Sequence, residues 1–290
     1  MVRSKLLGGS FGVEICDFST ADPDQEMMRA LLEMFYQHQF MVIPNQELSV
    51  GQFNTFCTWF GSPEPHFLDH LRLPGYPAVL TLSNMKKNGQ QIGVYEGASF
   101  WHTDVAYRDP PNSTTITFSV VAPTNPVELE IANMTQAYEA LPESLKQEIE
   151  GLQVLHHYGN RADMDENSPY SAERLTDVQR KKVANVFQPL VMKHPVTGRK
   201  ALYAVAGSSF GIVGMKNQAA LNLLDELKDH AIQPKFVQRY PYKQGDIVAW
   251  DTLATMHKGP VTRLTNDPDK SRLLWRISVT GHNPMILLSN

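Results

Sequence analysis

Trp101-His102-Thr103-Asp104 sets an imidazole and a carboxylate two residues apart, and His257 follows far downstream in the run Trp250-Asp251-Thr252-Leu253-Ala254-Thr255-Met256-His257. Two histidines and one carboxylate are the donor set of a facial triad, which suits iron(II) and leaves coordination positions open for a chelating ligand and dioxygen. Alternate side chains on a strand share a face, so an extended segment would offer His102 and Asp104 to one ion. Beyond His257 come Arg272 and Arg276, again on one face if their segment is a strand lining a barrel. A guanidinium grips a carboxylate through two parallel hydrogen bonds and keeps its charge. Inside a barrel it is costly without an anion, so two arginines call for two anions. The chemistry implied is oxygen activation at iron with an acidic co-substrate. Histidine ligands must be unprotonated, so metal affinity is expected to fall below about pH 6.5.

His-x-Asp alone is a weak signal in a chain with ten histidines, and it needs the surrounding elements to give it meaning. Met27, Met28, Leu31, Leu32, Met34 and Phe35 recur at helical spacing and predict a helix over 24–39 that starts near Asp22-Pro23. The apolar run 40–43 then reads as a buried strand. Ser49 and Gln52 form a capping-box pattern for a second helix to about Phe60, with Gly61 ending it. Strands are expected at 78–83, 114–121, 236–240, 247–250 and 273–279, and helices near 134–141, 142–150 and 217–231. The polar stretch 161–172 reads as a surface loop or a lid. Short strands with helices on the N-terminal side and in an insertion predict a mainly β protein, a double-stranded β-helix (jelly-roll) barrel with flanking helices, forming one domain over 1–290.

The formal net charge of −4 and a pI near 6.2 argue against a nucleic-acid-binding protein, which needs a basic stripe against phosphates. Arg180-Lys181-Lys182 reads as a solvated helix face. Two cysteines, Cys16 and Cys57, are too few for a disulfide framework or zinc knuckle. The N-terminus has no sustained apolar core of a signal peptide, and no window approaches a membrane span. A cytoplasmic enzyme acting on a small acidic molecule is the expectation, with homo-oligomerisation open.

The motifs together resemble the taurine dioxygenase / 2,4-dichlorophenoxyacetate dioxygenase family of iron(II), 2-oxoglutarate-dependent oxygenases. The likeness covers most of the chain. It rests on Phe60-Gly61 followed by His66, the Trp-His-Thr-Asp block, the run from His194-Pro195 to Tyr203, Gly214-Met215, the Trp-Asp-x-x-x-x-x-His block and the closing Arg-x-x-x-Arg. The resemblance implies that His102, Asp104 and His257 bind iron and that Arg272 holds the distal carboxylate of 2-oxoglutarate. In taurine-type members an early histidine and the second arginine bind the substrate's anion; these match His66 and Arg276. It implies decarboxylation of 2-oxoglutarate to succinate and CO2, coupled through O2 to attack on a C–H bond. Retention of Asp104 implies hydroxylation, since halide-transferring relatives of the wider class lack that carboxylate.

The pattern departs at three positions. Leu129 stands where members carry a threonine whose hydroxyl touches 2-oxoglutarate, a loss of roughly 0.5–1.5 kcal/mol unless a nearby hydroxyl substitutes. Ser208 replaces a pocket aromatic, and Ala98 stands where taurine enzymes place an asparagine. Both departures make a small sulfonate a poor fit and favour a larger acid, such as an aryloxy or alkyl acid or an acidic sugar of the 3-deoxy-manno-octulosonic type. Two other readings stay open at this point. The triad could hold zinc and activate water for hydrolysis, which leaves Arg272 without a task; or the barrel could be a non-catalytic, regulatory member. Of the remaining histidines, His70 beside Asp69 reads as a surface residue and His194 as a turn residue. His156 and His157 lie on a strand with only one facing inward. Trp101, Trp250 and Trp275 read as packing around the ligands that excludes water, and Asp251 as a supporting carboxylate or a turn acid.

Overall fold

A computed structural model describes residues 2–21, 23–66, 69–95, 98–158 and 185–287. The proposed lid at 161–172 and the basic run at 180–182 lie outside these described residues. Two sheets face each other. The larger, nine-stranded sheet contains β1 (Arg3–Leu6), β2 (Val13–Cys16), β3 (Phe40–Ile43), β4 (Tyr76–Ser83), β5 (Thr114–Val121), β8 (Ile247–Asp251, following β6 and β7 of the second sheet) and β10 (Leu273–Thr280), with short strands completing it. Its central order is β3-β8-β5-β10-β4, antiparallel throughout. The second sheet is β7 (Val237–Pro241), β6 (Glu128–Asn133) and β9 (Thr255–Lys258), in that order. The predicted jelly roll is the architecture observed.

Period-two alternation sorts each strand of the large sheet between two cores. Met41 and Ile43 of β3, Ile247 and Ala249 of β8, Ile116 and Phe118 of β5, and Ile277 and Val279 of β10 turn outward. They pack beneath α1 (Gln25–His38) and α2 (Val50–Cys57), which contribute Leu31, Leu32, Phe35, Phe53 and Phe56. Each such side chain, fully buried, stabilises the fold by roughly 1.5–3 kcal/mol. The alternate residues face the second sheet: Phe40, Val42, Val248, Trp250 and Leu274 meet Leu129, Ile131, Tyr240 and Tyr242. Trp275 lies on the helix side, away from the barrel interior.

The helices form where expected, with shifts at their ends. Asp24, rather than Asp22-Pro23, caps α1 by accepting from Met27 N at 2.7 Å, and Gln39 closes it in the left-handed region. Ser49 and Gln52 make both halves of the capping box on α2, which ends at Cys57, earlier than expected. A third helix, α3 (Asn217–Ala231), matches its expected span and buries Leu223, Leu224 and Leu227 against the outer face of the smaller sheets. No helix among the described residues is long and apolar enough to cross a membrane.

Candidate metal centre

His102, Asp104 and His257 come together at one end of the barrel interior, with one donor atom from each lying within 4.8 Å of the others. Backbone pairing builds this junction. The His102 amide bonds the His257 carbonyl and the His257 amide bonds the His102 carbonyl, both at 2.9 Å. His257 is carried by β9, whose partner strand β6 sets Ile131 opposite it. His102 and Asp104 do not lie on a continuous strand, as the sequence led us to expect. His102 forms an isolated bridge and Asp104 opens a turn in which Val105 takes a φ of 54°. The turn still presents the carboxylate to the imidazoles, at 3.6 Å from His102 Nε2 and 3.7 Å from His257 Nε2.

The residues fit a divalent metal on their own chemistry. The Phe100 carbonyl lies 2.8 Å from His102 Nδ1 and can only accept, so Nδ1 carries the proton and the Nε2 lone pair faces Asp104. Burial, reinforced by neighbouring His102, pulls the His257 pKa down to about 3, so the ring is neutral and ready to ligate at physiological pH. Proton competition at His257 therefore begins well below the pH 6.5 expected for an ordinary histidine. Burial alone would raise the Asp104 pKa, but Arg276, then His257 and His102, hold it well below the usual carboxylate range. Thr115 Oγ1 donates to Asp104 Oδ2 at 2.9 Å and Arg276 reaches Oδ1 at 2.7 Å. Trp250 packs on His257 with ring centroids 4.8 Å apart.

The three groups open onto a cavity of about 500 Å³, within the range that encloses small ligands. Arg272 and Arg276 both line it, as does Leu274 between them, so the alternation expected along this segment is kept. Arg272 is anchored by Asn84 Oδ1, which accepts from its backbone amide at 2.8 Å. Its guanidinium is buried, and burial draws its pKa down from the ordinary arginine value. His66 and Ala98 line the same cavity, and Leu129 contributes an apolar wall. Ser208 does not line it; its hydroxyl lies 2.9 Å from His156 Nδ1, a buried histidine at the end of the strand Gln153–His156. Its neighbour Gly207 does touch the centre, packing against His102. His70 is exposed, while Asp69 beside it pairs with Arg72.

Sequence reasoning passed over several members of this site. Thr115 and Thr117 were legible only as β-formers, and Tyr242 fell outside every expected strand. His194 does open a turn, its carbonyl accepting from Gly198 N at 2.9 Å and its Nδ1 from Val196 N and Thr197 N at 3.2 Å, but it is also buried, with Nε2 2.9 Å from Asp251 Oδ2. Asp251 in turn accepts from Leu253 N at 3.0 Å and holds the bend between β8 and β9. No local signal joins residues so far apart in the chain.

Comparison with known proteins agrees with this geometry. The family model for taurine catabolism dioxygenase TauD, TfdA family, matches residues 3–278. The alpha-ketoglutarate-dependent 2,4-dichlorophenoxyacetate dioxygenase of Cupriavidus pinatubonensis is 30% identical over 86% of this chain and 88% of its own length. An alkylsulfatase of Acinetobacter baylyi is 28% identical over 97% of this chain and 85% of its own. In fold, the crystal structure of AAD-2 in complex with Mn(II) and N-oxalylglycine superposes with a TM-score of 0.78 at 24% identity, covering 98% of this chain and 99% of that one. With the family match spanning nearly the whole barrel and its metal-site residues gathered at one cavity, the chain belongs to the TauD/TfdA family of iron(II), 2-oxoglutarate-dependent dioxygenases.

Proposed function

We propose that this enzyme hydroxylates a C–H bond of a small-to-medium acid, a carboxylate or a sulfur oxyacid, with release of succinate and CO2. The observation that carries the reading is the pairing of one metal-ligand cluster with two buried-face arginines, Arg272 and Arg276, around a single cavity. In this reading His102, Asp104 and His257 hold Fe(II), Arg272 holds the far carboxylate of 2-oxoglutarate, and Arg276 with His66 receives the acid group of the substrate. Iron bound there supplies, with 2-oxoglutarate and O2, the oxidising power that puts one oxygen atom into the substrate.

The chain's own residues position and exclude. Thr115 and Arg276 fix the two oxygens of Asp104, and the Phe100 carbonyl fixes the His102 tautomer. Trp250, Leu82, Leu274 and Val94 form apolar walls that keep water from the reacting centre. Leu71 and Leu80, beside His66, offer an apolar bed for the body of a substrate whose acid group meets Arg276. That bed favours aryloxy or alkyl acids over a small sulfonate, in keeping with relatives described as a 2,4-dichlorophenoxyacetate dioxygenase and an alkylsulfatase.

A panel of aryloxyalkanoates, alkyl sulfates, fatty acids, acidic sugars and taurine, each with Fe(II) and 2-oxoglutarate, tests the reading through substrate-stimulated succinate formation. Coupled succinate with at least one hydrophobic acid is expected. Turnover of neutral analogues as readily as of acids would overturn the role of Arg276, and hydrolysis without O2 would favour the zinc reading instead.

A further inference from the structure

Arg272 lines the cavity, and its guanidinium has more donors than partners. It is 7% exposed, and its Nε has no hydrogen-bond partner among the described residues. Leu129, Tyr242 and Thr117 line the same cavity, and Tyr242 lies close enough to Arg272 for the two to interact electrostatically. Leu129 offers no polar atom. Tyr242 Oη, by contrast, lies 3.1 Å from Thr117 Oγ1, and both residues are almost fully buried. Thr117 Oγ1 has a second contact, the Val248 carbonyl at 3.3 Å.

Strand register explains why these groups meet. Leu129 stands opposite Tyr240, and the Tyr242 amide bonds the Val127 carbonyl, so Tyr242 lies one inward position along from Leu129's partner. Thr117 sits between Val248 and Arg276 on the large sheet. It is also one inward position from Thr115, which holds Asp104. Two strand residues span roughly 7 Å, so Thr117 lies about the length of a five-carbon diacid from the Thr115–Asp104 end of the site.

We propose that Tyr242, backed by Thr117, is a positioning residue for the distal carboxylate of 2-oxoglutarate, supplying beside Arg272 the hydroxyl that Leu129 lacks. This rests on the assignment of Arg272 above. The donors balance: Thr117 gives its proton to Tyr242 Oη, and the phenol gives its own to the carboxylate. Without an anion the Thr117 proton turns to the Val248 carbonyl. Burial pushes the Tyr242 phenol up to about 12, so it keeps its proton across the neutral range.

The test is calorimetric titration of Mn(II)-loaded protein with 2-oxoglutarate, alongside steady-state kinetics. Tyr242→Phe is expected to weaken binding about tenfold, as for one hydrogen bond to a charged group. KM for 2-oxoglutarate should rise with it, while kcat, Mn(II) affinity and the Tm of the ligand-free protein stay near those of the parent. Adding Leu129→Thr to Tyr242→Phe should recover most of the loss, a rescue that a merely structural tyrosine would not show. Should Tyr242→Phe fail to fold, Thr117→Val is expected to weaken 2-oxoglutarate about threefold. Arg272→Gln separates the two levels. If it abolishes binding while Tyr242→Phe binds as the parent does, the tyrosine role is overturned and the Arg272 reading stands. If Arg272→Gln binds normally, both fall.

Discussion

Thr115→Val removes one hydroxyl from the support of Asp104 and keeps the side chain's shape. The Thr115 hydroxyl donates to Oδ2 at 2.9 Å in a buried setting, and Arg276 serves the other oxygen. A hydrogen bond to a charged group contributes about 1.5–3 kcal/mol, and each 1.4 kcal/mol is a factor of ten. Loss of the bond should therefore weaken divalent metal binding by about 10- to 100-fold, the range usual for groups that orient a metal ligand. Ser278 Oγ lies 3.3 Å from Thr115 Oγ1, so Ser278→Ala is the control and should cost much less. Anaerobic titration with Fe(II), or with Mn(II) as a redox-stable stand-in, measures the effect, and a thermal melt of the metal-free proteins checks the fold. A Thr115→Val protein that folds like the parent and binds metal as tightly would refute the claim that this hydroxyl fixes the carboxylate.

Three further outcomes follow from the same geometry. Gly207 has a φ of +77°, and a Cβ there would come within 2.6 Å of His102 Cβ. Gly207→Ala should therefore displace His102 and lower Mn(II) affinity at least tenfold, besides roughly 1–2 kcal/mol of backbone strain; unchanged affinity would show that the contact does not govern the ligand. Arg276→Leu should raise KM for the acidic substrate about 100-fold while changing 2-oxoglutarate affinity far less, and equal KM values would remove Arg276 from substrate recognition. Burial holds the pKa of His156 down at about 4, whereas the unfolded chain titrates near 6.5. The unfolded state then binds the extra proton first, so this contribution to stability is lost as pH falls from 6.5 to 4 and changes little below. Urea melts of the parent and His156→Gln at pH 7.0 and 4.5 should show the parent losing about 2 kcal/mol more on this account, and parallel losses would refute it.

Local chemistry made much of this molecule legible. The capping box at Ser49 and Gln52, the amphipathic run of α1 and the strand-forming runs of β3, β5 and β8 each depend on neighbours within a few residues, and each holds. The metal cluster was legible because residue type narrowed the choice: a carboxylate two from a histidine and an arginine following a distant second histidine leave few alternatives. The conformation of that motif was not. A turn at Val105 delivers Asp104 where a strand was expected, and the pairing of His102 with His257 is an isolated bridge that does not continue to Asp104. The contact of His194 with Asp251 and that of Ser208 with His156 join residues more than fifty positions apart, which no local periodicity encodes.

Charge inside the barrel bears on what the enzyme accepts. Among the described residues lining the cavity, Asp104 is the one acid and Arg272 and Arg276 are the permanent cations, giving 2 − 1 = +1 with the histidines neutral. A divalent metal raises this to +3, and the 2-oxoglutarate dianion returns it to +1. On the proposed assignment one further negative charge brings the loaded site to zero, with Arg276 as the cation that would meet it. In a cavity walled by Trp250, Leu80, Leu82 and Leu274, residual charge of either sign is costly, so neutrality selects among ligands as strongly as shape does. A monoanion completes the balance and a dianion overshoots it, while a neutral molecule leaves Arg276 tied to Asp104. On that assignment the arginine that contacts Asp104 would exchange this partner for the acid group of a singly charged substrate.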